Sequence, residues 1–403
     1  MSRRLALSVL VLIAAALVGC RGEEAKPSCP SAAKAASELR VADQREIMVD
    51  DGRIVALSPD GKWLVISRDT ALCVCEVRSQ AEQCCVEIGD EVRNVDLGSI
   101  AWSPDSTRVV FTEEALRLLY ESDLWVLEVE TGHLKNLTDD GVTGGLLTAK
   151  GEAAIDVAPG WSRDGKRLVF SRSPGLTSGE REGTSLYSIP ASGGNPRELL
   201  TVDDQRRMSV WSRCHYSGDG KQILYTVASG DSGDPENGVW IAAANGGTPQ
   251  QVLGATDLEK GLPYLMDVSS QGDRALVGYQ YALEVQGLNS CAFFLLDLKT
   301  GEIEPVKQAK GDATEFLSVE NATLSPDGSK VLYIYHCVDD EQRLAVRDVD
   351  GDTEHILLAL PTGMIYYAWS FGPAGSGLDW AQSDTIYVSQ LRNHGLLLSL
   401  ETD

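Results

Sequence analysis

The sequence predicts an all-β fold, a β-propeller of four-stranded blades. Three observations predict it. A short hairpin recurs six times, a second hairpin follows most copies, and the two ends of the chain together complete one further unit.

The first three copies read Leu57-Ser-Pro-Asp-Gly-Lys-Trp-Leu-Val-Ile66, Trp102-Ser-Pro-Asp-Ser-Thr-Arg-Val-Val-Phe111 and Trp161-Ser-Arg-Asp-Gly-Lys-Arg-Leu-Val-Phe170. Three more read Tyr216-Ser-Gly-Asp-Gly-Lys-Gln-Ile-Leu-Tyr225, Val268-Ser-Ser-Gln-Gly-Asp-Arg-Ala-Leu-Val277 and Leu324-Ser-Pro-Asp-Gly-Ser-Lys-Val-Leu-Tyr333. The turn position falls at Asp60, Asp105, Asp164, Asp219, Gln271 and Asp327, with gaps of 45, 59, 55, 52 and 56 residues. A period of that size marks an array or a propeller. Pro presets φ, Asp bonds its own backbone and Gly accepts positive φ, so each copy turns for a stated reason. The run after each turn, such as Leu168-Val169-Phe170, is apolar without alternation. A strand apolar on both faces is buried on both faces, as blades stacked around an axis require.

The second signature is a strand, a Gly-containing turn and another strand. Examples are Leu124-Trp-Val-Leu-Glu-Val-Glu-Thr-Gly-His-Leu-Lys-Asn-Leu-Thr138 and Phe293-Phe-Leu-Leu-Asp-Leu-Lys-Thr-Gly-Glu-Ile-Glu-Pro-Val306. Two hairpins make one four-stranded blade. At the C-terminal end, Tyr366–Ser370, Thr385–Ser389 and Leu396–Leu400 supply three strands. Glu46-Ile-Met-Val49 supplies the fourth and removes the open edge. Seven blades follow, six being the alternative if 366–403 does something else.

The Trp-Ser-Pro-Asp-Gly-Lys-type hairpin resembles the repeat of TolB-like propellers, related to WD-repeat blades. The same repeat occurs in propellers of prolyl-oligopeptidase-type peptidases. The resemblance spans roughly residues 46–403, although copy five has Gln271 and Asp273 for Asp and Lys, and copy two has Ser106 for Gly. It implies the fold and says little of activity, because its residues form a turn and a buried strand.

Arg3 and Arg4, an apolar stretch Leu5–Val18 and then Leu17-Val18-Gly19-Cys20 resemble a bacterial lipoprotein signal. The resemblance implies cleavage before Cys20, its diacylation and a membrane anchor. With Arg21 rather than Asp next, it implies the outer membrane, facing periplasm or cell surface. The expected domains are a signal peptide at 1–19, lipidated Cys20 with a tether to residue 43, and a propeller at 44–403.

The net charge of −24 excludes a nucleic-acid binder that relies on phosphate attraction. It allows a basic partner, while mainly keeping an exported domain soluble. Nine cysteines suit disulfides in an oxidising envelope. In the cluster Cys73, Cys75, Cys84 and Cys85, cross-strand pairing as 73–85 or 75–84 is sterically feasible, with free thiols or a metal site as alternatives. Cys29, Cys214, Cys291 and Cys337 cannot be paired from sequence.

No complete catalytic motif emerges. Ala368-Trp-Ser-Phe-Gly372 falls one glycine short of a nucleophile elbow, and Trp369-Ser370 reads as the blade's own Trp-Ser pair. Gly230-Asp-Ser-Gly-Asp234 reads as a polar hairpin loop whose oxygens lack the alternation of a calcium loop. The histidines His133, His215, His336, His355 and His394 form no ligand spacing, although propeller geometry can bring His215 and His336 towards the axis. The expectation is therefore no cofactor, with calcium or a channel metal as the exception.

The leading expectation is a monomeric, non-enzymatic envelope scaffold for a protein or peptide. Its binding surfaces are expected on the long connections 137–156, 174–184, 229–238 and 372–383. The alternative is a lyase or hydrolase with a metal-assisted site in the axial channel. Three or more His, Asp or Glu side chains converging at one channel mouth would favour it. A third reading is an accessory propeller related to peptidase propellers that binds peptide without turnover.

Overall fold

The computed structural model describes residues 39–402, apart from 89–94, 114–121, 142–153, 175–182, 204–208, 211–212, 230–232, 255–261, 270–272, 281–292, 308–315, 338–341, 351–353, 361–377, 383 and 390–392. Residues 1–19, expected to be a signal peptide, Cys20, Cys29, Gln271, Cys291, Ser370 and most of the long connections lie outside the described residues.

The strands form seven antiparallel sheets, the seven blades of a β-propeller. Blade 1 is a meander of Arg53–Leu57, Trp63–Arg68, Ala71–Glu76 and Glu82–Glu87. Blades 2, 3, 5 and 6 repeat that order and begin with Ala101–Trp102, Ala154–Trp161, Leu262–Val268 and Phe316–Leu324. In blade 4 the first strand is split into Ser209–Val210 and His215–Tyr216, both paired with Gln222–Ala228. The single helix among the described residues is a 3-10 turn at Leu97–Ser99, capped by Asp96.

Blade 7 closes the ring. Its order is Leu378–Trp380, Thr385–Ser389, His394–Thr402 and then the N-terminal strand Leu39–Met48. The closing strand is longer than the sequence suggests. It starts at Leu39, so residues 39–43, expected in the tether, belong to the propeller. The reason is its place at the outer edge, where only Leu39 and Ile47 are buried and Asp43 to Glu46 are exposed and polar like a linker. The inner position of blade 7 is held by Leu378–Trp380 rather than by 366–370, which lies outside the described residues.

Seven hydrophobic clusters hold the ring, one between each pair of neighbouring blades. Val65 and Val74 of blade 1 meet Phe111 and Leu127 of blade 2. Ile47 and Tyr387 of blade 7 meet Ile54 and Ile66 of blade 1. Leu168, Val169 and Phe170 are all fully buried, so both faces of a middle strand are covered, as the unalternating run predicts. Each such side chain stabilises by roughly 1.5–3 kcal/mol relative to exposure.

Candidate functional site

The six hairpin turns make the frame. In five copies the hairpin serine donates to the aspartate two residues on: Ser58 to Asp60 at 2.6 Å, Ser103 to Asp105 at 2.6 Å, Ser162 to Asp164 at 2.7 Å, Ser217 to Asp219 at 2.7 Å and Ser325 to Asp327 at 2.5 Å. Each aspartate also accepts the amide two residues later, as Lys62 N does to Asp60 at 3.1 Å. These bonds hold all five carboxyls below the usual range, Asp219 at about 2. In copy five Ser269 donates to Asp273 instead, at 3.0 Å. A carboxylate satisfied by its own turn is a poor candidate acid or base.

A seventh copy escaped the sequence pattern. Trp380-Ala-Gln-Ser-Asp-Thr-Ile386 turns one residue earlier than the others. Ala381 N donates to Thr385 O at 2.8 Å, where Ser58 N donates to Trp63 O at 2.9 Å. Asp384 takes the positive φ, 54°, that Gly61 supplies in blade 1.

All seven inner strands converge on one open axial mouth, a cavity of about 940 Å³. The position two residues before each hairpin serine, or its Ala381 equivalent, lines it: Ala56, Ala101, Gly160, His215, Asp267, Thr323 and Asp379. The ring divides into two arcs. Blades 1 to 3 contribute only small residues, and blades 4 to 7 contribute polar ones. Trp102, Trp161, Tyr216 and Trp380 stand around it.

The two carboxylates of the polar arc also staple blades together. Asp379 Oδ2 accepts Leu57 N of blade 1 at 3.0 Å. Asp267 accepts Leu324 N of blade 6 at 3.1 Å, Thr323 Oγ1 at 3.2 Å and Val268 N at 2.8 Å. Burial pushes both carboxyls up, Asp379 to about 6, against the pull of those bonds and of Arg213. Burial, with Arg213 close by, pushes His215 down to about 3, so its ring is neutral at pH 7.

Arg213 lies between the two parts of the split strand of blade 4 and reaches past blade 3 to blade 2. Its Nη2 donates to Ile100 O of blade 2 at 2.5 Å. Gly160 lets the backbone at Cys214, the residue after Arg213, come close to blade 3, because a Cβ on Gly160 would lie 1.7 Å from Cys214 O. Burial depresses the guanidinium, while Asp267, Asp379 and Asp96 raise it through space. Sequence reasoning missed Arg213, Asp267 and Asp379. Their signal was positional, a charged residue just ahead of a hairpin.

His215 faces the mouth as expected, whereas the His336 side chain lies outside the described residues. Asp234 accepts Glu236 N at 3.0 Å and Asn237 Oδ1 accepts Ser229 N at 2.7 Å, so these oxygens serve their own loop. In blade 1, Cys73 and Cys85 face each other and form a disulfide, whereas Cys75 and Cys84 remain thiols. Cys73, Glu82 and Cys85 cluster within 4.8 Å. Arg68 Nη1 lies 2.8 Å from Glu82 Oε2 and 3.1 Å from Cys73 Sγ, so a guanidinium serves this group.

The chain is similar to other propellers. No family model matches it. The uncharacterized peptidase YuxL of Bacillus subtilis strain 168 is 22% identical over 254 residues, which are 62% of this chain and 31% of that protein. The chain thus matches about a third of the length of that relative. An oligogalacturonate lyase from Vibrio parahaemolyticus shares the fold at TM-score 0.56 and 10% identity, covering 90% of this chain and 98% of that one. A prolyl endopeptidase structure matches at TM-score 0.55 and 15% identity, over 88% of this chain and 51% of that one. TolB from Acinetobacter baumannii is also among the neighbours, at TM-score 0.43 and 16% identity, over 78% of this chain and 66% of that one.

These matches correct the expectation that the chain is not an enzyme. The curated relative is named a peptidase, and endopeptidases and a lyase share the fold. His215, Asp267 and Asp379 converge at the mouth, although no hairpin aspartate pointed to them.

Proposed function

We propose that this chain is an envelope propeller, anchored through a lipid on Cys20 at the outer membrane, that receives a peptide segment in its axial mouth for peptidase-type processing. The observation that carries the reading is the divided ring. A small-residue arc leaves room for a chain, a polar arc offers specific contacts, and aromatic walls supply apolar area. The peptidase name of the curated relative supports the substrate class. The net charge of −24 favours peptides with basic residues.

A photo-crosslinking residue at the exposed rim position Gln382 tests this in intact cells. Recurrent adducts with peptide segments of envelope proteins are expected. Adducts no richer than those from a residue on the outer strand 39–48 would overturn it.

A second reading, acid–base catalysis in the mouth itself, is favoured by Asp379, whose carboxyl at about 6 suits proton transfer near neutral pH. Peptide cleavage that vanishes in Asp379→Asn while peptide retention persists would support it. Unchanged cleavage in that variant would remove it.

A further inference from the structure

The mouth has unmet hydrogen-bond capacity, mostly of one sign. Among the described residues, four buried side-chain nitrogens without a partner belong to its lining: Trp102 Nε1, Arg213 Nε, His215 Nε2 and Trp380 Nε1. Three of the four are donors only, the His215 nitrogen depending on its tautomer. The acceptors are better served, since Asp267 already takes three bonds and Asp379 takes the Leu57 amide. Among these lining residues the spare hydrogen-bond capacity is therefore mostly that of donors.

Arg213 sharpens the class of acceptor. Among the described residues its Nη2 donates to Ile100 O, its Nε has no partner and the guanidinium makes no ion pair. A guanidinium that lines the mouth without a contacting counter-charge is stabilised by an anion that supplies one. Its planar fork fits a carboxylate by two parallel bonds better than any neutral acceptor.

We propose that the axial mouth seats a carboxylate on Arg213, and that in a bound peptide this is the C-terminal carboxylate. The peptide part rests on the reading above, whereas the carboxylate part rests on Arg213. Entry from the C-terminal end would place the last residue against the polar arc and the preceding residues over the small arc. The preceding residues then pass Ala56, Ala101 and Gly160, the small residues at the inner position of blades 1 to 3.

The test uses the full chain, immobilised, and two random pentapeptide libraries, one with free C-terminal carboxylates and one amidated. Retained peptides are read by mass spectrometry. The free-acid library is expected to be retained at least tenfold better. Arg213→Met should abolish that preference and Arg213→Lys should keep part of it, with melting curves showing which variants are folded. Equal retention of both libraries overturns the carboxylate inference and leaves peptide binding standing. An amidated arm enriched in Asp or Glu assigns the carboxylate to a side chain and overturns the terminal assignment. If neither library is retained, the peptide reading fails. Succinate then decides the rest. A rise in the wild-type melting temperature over chloride of equal ionic strength, absent in Arg213→Met, supports the carboxylate site. No rise overturns it.

Discussion

Leu57 and Asp379 stand 322 positions apart in the chain, yet the Leu57 amide donates to Asp379 Oδ2 at 3.0 Å and so latches blade 1 to blade 7 at the axis. The carboxyl is raised to about 6 by burial, above its ordinary 3.8. A raised acid contributes stability that is full below pH 3.8 and is lost as pH rises through 6. Asp379→Asn keeps an acceptor for Leu57 and removes the buried charge. At ~1.4 kcal/mol per pKa unit, it should be more stable than wild type at pH 8 by up to about 3 kcal/mol. Chemical unfolding at pH 4 and pH 8 checks this, since the advantage should shrink towards pH 4.

The hairpin aspartates have the opposite sign. Their carboxyls are held down by the serine and amide bonds. Their stabilisation is present above pH 3.8 and is lost as pH falls through their lower native values. Replacing Asp60, Asp105, Asp164 and Asp327 together by Asn should flatten the acid limb of a stability–pH curve below pH 4. An unchanged acid limb would place that dependence elsewhere.

The Cys73–Cys85 bridge closes a short loop, with a sequence separation of 12. Cys73→Ser with Cys85→Ser should cost about 2–3 kcal/mol by the loop-closure estimate. Alkylation of the native protein followed by peptide mass mapping should label Cys84, half-buried, ahead of Cys75, which is buried. It should leave Cys73 and Cys85 unmodified until a reductant is added.

Closure also depends on the N-terminal strand. Ile47 is 1% exposed and packs between blades 7 and 1. Ile47→Ala should destabilise by about 2–5 kcal/mol. Removal of residues 39–48 should do more, because it uncovers the edge of His394–Thr402 and leaves both blades without their shared core. Thermal melts of the two variants should rank in that order.

The repeat was legible because turn chemistry and strand burial are local. Asp164-Gly165 before Leu168-Val169-Phe170 states both its bend and its double-sided burial in a few residues. The seventh turn was hidden because Asp384 adopts a glycine's backbone without being one, and because its turn is shorter. The reach of the closing strand was hidden because an edge strand need bury little, and Arg40 to Glu46 look like any solvated linker. The mouth was least legible. Arg213, Asp267 and Asp379 become neighbours only when seven inner strands are laid around one axis. No spacing along the chain encodes that meeting.

Placing the small and polar arcs on different blades lets girth and head-group choice change separately. Widening or narrowing the passage needs only a codon change at Ala56 of blade 1, whereas Arg213 is held by Ile100 of blade 2. A family of such propellers can therefore drift in the bulk of what it admits while keeping the same chemical grip, or exchange the grip and keep the bore.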